Sequence, residues 1–449
     1  MAYLRPGVYV QETLNPVAPV VGAASDTVAA FIGANDRGPI NPVLVTSWSE
    51  YTAQFGTWNT TANNLLPIAV YLYFANGGSR AYVERVTAGS AVIATRTFSD
   101  RAGTPLNTLR LTAKNAGTWG NNINISISDS ITTGKFDVTV YYNGTTDSQI
   151  VEQFTELSMV SSDSRYASTV INAASTYVVA ADLNSATTGT NKNPAIVTNV
   201  SLATGANGST VSTITDYSGF DTIKESLILN VPGGTDAVTV NAAISYATNR
   251  GDVFVVVDGI NDTAANQLTL AASYTASSQA AVYFPQITIA DPTIGVGGAA
   301  GSTRTVGAGS AVVGLYVATD TARGVFKAPA GLTARLAGAV SVPSLTNAEL
   351  DNLNSASAAV NAIKFVSGSG IVVMGARTLK SGYIDKYVPV RRTLIYLRKS
   401  LSDLSQFALF EPNDPALWRR INSTFSSFLT GFWSQGGLVG AAPNQAYYV

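Results

Sequence analysis

The chain has 449 residues, 27 Lys plus Arg against 28 Asp plus Glu, and a net charge of −1, which removes any bulk electrostatic attraction to nucleic acid. It contains no cysteine and no histidine, so disulfides, thiolate zinc sites, Ser-His-Asp and Cys-His nucleophiles and the commonest metal ligand are all absent from its chemistry. Charged residues are only 12 %, about half the usual share, while hydrophobic residues reach 46 %, so the surface must be built from Ser, Thr, Asn and Gly around substantial cores, as suits a protein packed against copies of itself.

At roughly 100–200 residues per domain the length predicts about two to four domains. The amino terminus, MAYLRPGVYVQE, lacks the apolar core of a signal peptide, and no apolar run reaches the roughly 18 residues of a membrane helix. A chain made and folded in the cytosol, without membrane insertion, is expected.

In chain order, the first twenty or so residues read as an arm. Val8 and Val10 alternate with Tyr9 and Gln11, and Pro6-Gly7, Asn15-Pro16 and Pro19 punctuate this short strand. An isolated strand must pair either within its own domain or on another subunit, and the pattern leaves both open. Residues Thr27 to Val86 predict an α/β unit: a strand over Val28 to Ile32, a helix over Ser47 to Phe55 capped by Ser47, a helix over Pro67 to Ala75 closed by Asn76-Gly77-Gly78, and a strand over Ala81 to Val86.

From about Gly89 to Tyr217 the composition turns to Thr, Ser and Asn. Ile123, Ile125 and Ile127 alternate with polar residues, as do Phe136, Val138, Val140 and Tyr142, which end at a hairpin-type Asn143-Gly144. This is a β-rich insertion. Beyond it, strands over Leu227 to Val231, Val253 to Val257 and Ala280 to Phe284 alternate with helices over Val240 to Asn249 and Thr263 to Ser277, the signature of a mainly parallel sheet. Pro292 to Gly309 is Gly-rich and predicts a long mobile loop. In the last hundred residues Leu394, Leu397, Leu401 and Leu404 share one helical face. Asp414 and Pro415 then open a helix striped by Leu417, Ile421, Phe425, Phe428 and Phe432 and stopped at Gly436-Gly437.

Candidate chemistry is sparse. Gly295 to Gly301 holds a Gly-x-Gly-x-x-Ala pattern, but without the preceding strand and following helix of a dinucleotide fold, and no P-loop is present. Asp258, at the end of an apolar strand and followed by Asp262, could be a metal ligand of a hydrolase; the plainer reading is an Asp258-Gly259 turn. The basic residues Arg391, Arg392, Arg398, Lys399, Arg419 and Arg420 gather within thirty positions, either as solvated helix faces or as a docking surface for an acidic partner. No catalytic, cofactor-binding or metal-binding residue is expected. The fold class is multidomain α+β and α/β: an arm over 1–22, a mixed α/β middle domain over 23–90 plus 215–340, the β-rich domain over 91–214, and a helix-rich carboxyl-terminal domain over 341–449.

Several segments, in a shared order, resemble the bacteriophage contractile tail sheath family, which includes the sheaths of phage-like bactericidal particles. They are RPGVYVQE at Arg5 to Glu12, DTVAAFIGANDRGPINPVLVTSWSEYTAQFG at Asp26 to Gly56, GGSRAYVERV at Gly77 to Val86, AKNAGTWGNNINISI at Ala113 to Ile127, ATDTARGVFKAPAG at Ala318 to Gly331, and the stretch from Arg391 to Ala441. The resemblance implies a non-enzymatic virion subunit, assembled in the cytoplasm of the host bacterium. It would polymerise helically around an inner tail tube, contact baseplate and tail terminator proteins, and contract to drive the tube through an envelope for genome ejection. It also implies intersubunit arms that add strands to neighbouring sheets: Pro6, Gly7, Val8, Tyr9 and Val10 at one end, and Tyr447, Tyr448 and Val449 at the other. The carboxyl-terminal helices would lie inward, with some of the basic residues facing the tube, and the Thr-rich insertion outward. Family members usually continue past QAYYV into a second arm strand, so the arm is expected to be truncated or missing from the numbered chain. A surface adhesin or S-layer-like protein is the alternative from a different class, suggested by the Thr/Asn-rich segment.

Overall fold

The computed structural model describes residues 27–58, 65–293, 302–382 and 384–449. Val28–Ala34 (β1) is apolar along its length and buried through Gly33, because it lies inside a sheet covered on both faces. Val43–Val45 (β2) follows. Trp48–Phe55 (α1) begins where the Ser47 Oγ accepts the Glu50 N–H at 3.2 Å. Leu66–Ala75 (α2) carries Pro67 in its first turn and is capped by Asn76, after which Gly77 takes a φ of +91° that ordinary residues avoid. Ala81–Val86 (β3) alternates buried and half-buried residues; it pairs parallel with β1 and antiparallel with β2.

The insertion contributes Thr95–Ser99 (β4), Asn107–Ala113 (β5), Ile123–Asp129 (β6), Phe136–Tyr142 (β7), Ile150–Leu157 (β8), Ala167–Ala174 (α3), Val178–Asp182 (β9) and Val197–Ser201 (β10). They form two antiparallel sheets, β4-β5-β9 and β10-β6-β7-β8. Ile123, Ile125, Ile127, Phe136, Val138 and Val140 all point into one core with Leu109, Leu111 and Trp119, as the period-two pattern requires. Asn143 and Gly144 do take positive φ (57° and 154°), but the β7–β8 connection is longer than a two-residue turn. A short helical turn at Asp147–Gln149 intervenes, and the Gln149 amide donates back to the Asn143 carbonyl at 2.7 Å.

The chain then returns to the first sheet through Leu227–Asn230 (β11), Ala237–Arg250 (α4), Val253–Asp258 (β12), Ala264–Ala271 (α5), Ala280–Phe284 (β13), Ile287–Ala290 (β14), Thr303–Val306 (β15), Gly309–Arg323 (α6), Ala339–Ser341 (β16), Asn347–Ser355 (α7), Val360–Val366 (β17) and Gly370–Val373 (β18). The central sheet has the order β18-β17-β13-β12-β11-β1-β3-β2, parallel except at the two outermost pairs. Strands β11, β12 and β13 are buried at every residue. A small sheet, β15-β14-β16, sits beside it.

Three expectations need correction. The helix expected to run to Ser277 stops at Ala271; the Ser273 hydroxyl bonds the Leu270 carbonyl at 2.6 Å, and such local side-chain bonding unwinds helix ends. The long loop over Pro292 to Gly309 contains a strand at β15, and α6 begins at Gly309; the Gly-x-Gly-x-x-Ala pattern from Gly295 lies outside the described residues. The boundary at 340 also moves. Strands β17 and β18 extend the central sheet, and Leu353, Val360, Ala362 and Leu379 join its core, because β17 finds its partner β13 some eighty positions away.

By compactness the described residues form two units, Thr27–Thr393 and Leu394–Val449. Val388–Leu404 (α8) leads from one into the other, followed by Pro415–Ser434 (α9) and Pro443–Ala446 (α10). Asp414 caps α9 as expected, accepting from Ala416 N and Leu417 N at 2.9 and 2.8 Å. The two apolar stripes are only partly a core. Leu404, Leu429 and Phe432 are buried and Tyr396 packs on Phe428 and Phe432, but Leu394 is 44 % exposed and Leu417, Ile421, Phe425 and Phe428 are half-buried.

Candidate assembly surfaces

Of the expected arm residues, Pro6, Gly7, Val8, Tyr9 and Val10 lie outside the described residues. At the other end Tyr447, Tyr448 and Val449 belong to no strand. The segment instead runs along α9. The Tyr447 hydroxyl donates to the Ser426 carbonyl at 3.0 Å and lies 2.6 Å from the Thr430 hydroxyl, and the Trp433 indole donates to the Gly440 carbonyl at 2.9 Å. Tyr447 is already in extended backbone conformation (φ −153°, ψ 164°) and Tyr448 is 99 % exposed.

The basic cluster divides. Arg392 is 3 % exposed and forms a two-pronged ion pair with Asp320, with one prong of 2.9 Å from Nη1 to Oδ1. Its guanidinium also lies 4.7 Å from the centroid of the Tyr316 ring, whose hydroxyl bonds that of Tyr283. Burial is the largest influence and works against its charge, but the Asp320 carboxylate and the Tyr316 and Tyr283 hydroxyls together hold Arg392 above its ordinary range. Arg392 is therefore an internal strut and cannot face a partner, a correction to the expected docking set. Arg391 is half-buried, and Lys399 bonds Asp403 one turn on at 3.1 Å. Arg398, Arg419 and Arg420 are exposed, the last lying over Phe407 at 4.2 Å. The sequence shows the charges, but only tertiary packing separates the strut from the solvated residues.

Asp258 is neither a turn residue nor open to a ligand. It closes β12 fully buried, and its two carboxylate oxygens accept the Gly233 N–H at 2.8 Å and the Gly309 N–H at 2.6 Å. Gly309 is the first residue of α6, so the carboxylate also meets the positive end of that helix. Burial pushes its pKa up, against the pull of both backbone bonds. Any Cβ at Gly307 or Gly309 would collide with the carboxylate, which explains the glycines that read as loop in the sequence. The cavity alongside, lined by Leu65, Ile68, Pro232 and Val306, measures about 10 Å³, room for about one water. Asp262 is exposed and accepts the Thr263 N–H at 2.7 Å at the start of α5. Among the described residues no three acidic side chains gather into a metal-sized group.

What remains open is edge and apolar surface. The β18 edge of the central sheet is covered by its own chain: Gly331 N bonds Val373 O at 2.8 Å, Leu336 N bonds Ile371 O at 2.9 Å, and Val373 N bonds Ala334 O at 3.0 Å. In the Leu394–Val449 unit the α8–α9 turn holds Leu409 and Phe410 out to solvent. Phe410 is fully exposed with a φ of +65°, a left-handed conformation an aromatic residue rarely adopts. Trp418, eight positions further on in α9, is also exposed, its indole bonded to Asn413 at 2.7 Å. Sequence patterning misses this tip because exposure of apolar side chains breaks the rule used to read it.

No protein-family model and no curated protein matches the chain. Solved structures do. A sheath tail protein from Listeria innocua aligns with a TM-score of 0.64 at 16 % identity, covering 94 % of this chain and 87 % of that one. A sheath tail protein from Desulfitobacterium hafniense aligns at 0.62 and 16 %, covering 98 % and 92 %. The sheath complex of an extracellular contractile injection system, in its contracted state, aligns at 0.57 and 21 %, covering 100 % and 87 %. From end to end, this chain is built on the fold of the contractile sheath proteins.

Proposed function

We propose that the protein is the structural subunit of a contractile tail sheath, polymerising helically around an inner tube and contracting to drive that tube through a target envelope. The observation that carries this is the extent of the fold match: sheath proteins align over 94–100 % of the chain, a span that takes in the insertion. A likeness confined to the α/β sheet would fit many enzymes, whereas a likeness that takes in the insertion fits few other folds. The assemblies of similar structures, a contracted injection-system sheath and an anti-feeding prophage baseplate, support self-association and contact with a baseplate. The surface adhesin reading is not favoured, because the Thr-rich segment belongs to the same sheath-like fold.

The function is mechanical, not enzymatic, and uses no cofactor. Subunits contact one another, the inner tube, the baseplate and a tail terminator in a virion or virion-like tail assembled in the host cytoplasm. The terminal arms join neighbouring sheets, each added strand bringing hydrogen bonds of roughly 0.5–1.5 kcal/mol apiece. Arg398, Arg419 and Arg420 face the acidic surface of the tube, and Leu409, Phe410 and Trp418 are covered on assembly. The solvent exposure of that apolar tip in the single chain supports this. Heterologous contacts that do not close on themselves yield a helix of indefinite length.

Negative-stain electron microscopy of the purified protein across a concentration series tests the reading. Hollow striated tubes are expected. Monodisperse particles at all concentrations, from a sample whose intact mass includes both arms, would overturn it.

A further inference from the structure

The insertion is joined to the α/β body at its neck and, packed against that neck, at a pair of arginines. In the neck, residues on the way out pair with residues on the way back: Val92 with Ala206 through bonds of 2.8 and 3.0 Å, and Thr95 with Ala203 through bonds of 2.8 and 3.1 Å. The Asn121 amide closes this ribbon against the insertion, exchanging bonds with Gly205 at 2.9 and 2.8 Å. A two-stranded ribbon on its own bends, and domains joined by a narrow neck move relative to each other by default.

The two arginines belong to the body. Arg85, on β3, is 2 % exposed; it donates to the carbonyls of Asn35 at 2.6 Å and Gly38 at 3.4 Å in the body, and to that of Ala116 at 2.7 Å in the insertion. Arg37, also buried, donates to Ala53 O at 3.0 Å in the body and to Thr176 O at 3.2 Å in the insertion. Its guanidinium lies 3.9 Å from the Tyr177 ring centroid and 5.0 Å from that of Trp119, so it is held by two aromatic side chains of the insertion. Between them Gly117 lets the two backbones touch: a Cβ there would lie 2.8 Å from the Asp36 carbonyl oxygen. Both arginines grip carbonyl oxygens across the junction, and a planar guanidinium fork fixes direction as well as distance.

We propose that Arg37 and Arg85 form a clamp that abolishes the hinge at the neck, so that insertion and body move as one rigid body. The arginines grip the Ala116 and Thr176 carbonyls beside the neck, and this second set of bonds opposes bending of the ribbon. In a contracting polymer this device would carry every displacement of the body out to the insertion without loss. It holds for the subunit whatever it assembles into, so it does not depend on the sheath reading.

The chain has no cysteine, which makes a spin-label distance measurement clean. Labels would be placed at Val151→Cys on the insertion strand β8 and Ser245→Cys on the body helix α4, both on the surface. The otherwise unaltered chain should give one narrow distance distribution. Arg37→Ala should broaden it about twofold, toward the freedom expected of necked domains, whereas Arg110→Ala, an exposed arginine of the insertion, should leave it narrow. A broad distribution in the unaltered chain would overturn the proposal outright, whether or not any variant folds. So would a folded Arg37→Ala, combined with Arg85→Met where that double variant also folds, that keeps the narrow distribution.

Discussion

Replacing Glu84 by Gln should stabilise the protein at alkaline pH and leave it unchanged at acid pH. Glu84 lies on β3, pressed against the chain where it returns from the insertion: a Cβ at Gly219 would be 2.5 Å from its Oε2. That oxygen is buried without a hydrogen-bond partner. Burial, and then the neighbouring Asp216 carboxylate, push the Glu84 pKa from 4.5 up to about 7. A carboxyl whose folded pKa is raised contributes stability that is whole below the unfolded pKa and is lost as pH rises through the folded one. The window is therefore from about 4.5 to about 7. At about 1.36 kcal/mol per tenfold change the full shift corresponds to roughly 3 kcal/mol, and solvent reaching this half-buried group reduces it to about 1–2 kcal/mol. Urea unfolding of both proteins between pH 4.5 and 8 measures the difference. The two stability curves should coincide at the acid end and diverge by about 1–2 kcal/mol in favour of Gln at the alkaline end. Parallel curves across the range would refute the reasoning, as would a Gln variant weakened at every pH.

The Arg392–Asp320 pair should behave as a buried one. Arg392→Met should destabilise the Thr27–Thr393 unit by about 3–5 kcal/mol, while Lys399→Ala, which removes a half-exposed pair one turn long, should cost about 0.3–0.5 kcal/mol in the same melting experiment. Equal effects would mean that the Arg392 strut is solvated after all. For the tube surface, Arg398→Glu combined with Arg419→Glu should reduce co-sedimentation with purified inner tubes at unchanged melting temperature; undiminished co-sedimentation would remove these residues from the interface.

The sequence by itself determined most of the local architecture, because the signals there are local. Val28 to Ile32, Val253 to Val257 and Ala280 to Phe284 are apolar on both faces and could only be inner strands of a covered sheet. Ser47 and Asp414 mark helix starts because a side-chain oxygen there meets N–H groups with no partner in the helix. The Ile123 and Phe136 runs reported a β-rich insertion through strict alternation. Tertiary structure decided the rest, wherever the deciding partner is distant in sequence. The glycines at 307 and 309 read as loop until Asp258, about fifty positions earlier, is seen pressed against them. Arg391 and Arg392 are indistinguishable as letters, yet Asp320 and the Tyr316 ring, some seventy positions away, bury one and turn it from a docking candidate into a strut. The grip of Arg37 and Arg85 on the insertion has no sequence signature at all, since its acceptors are backbone carbonyls, which every residue possesses.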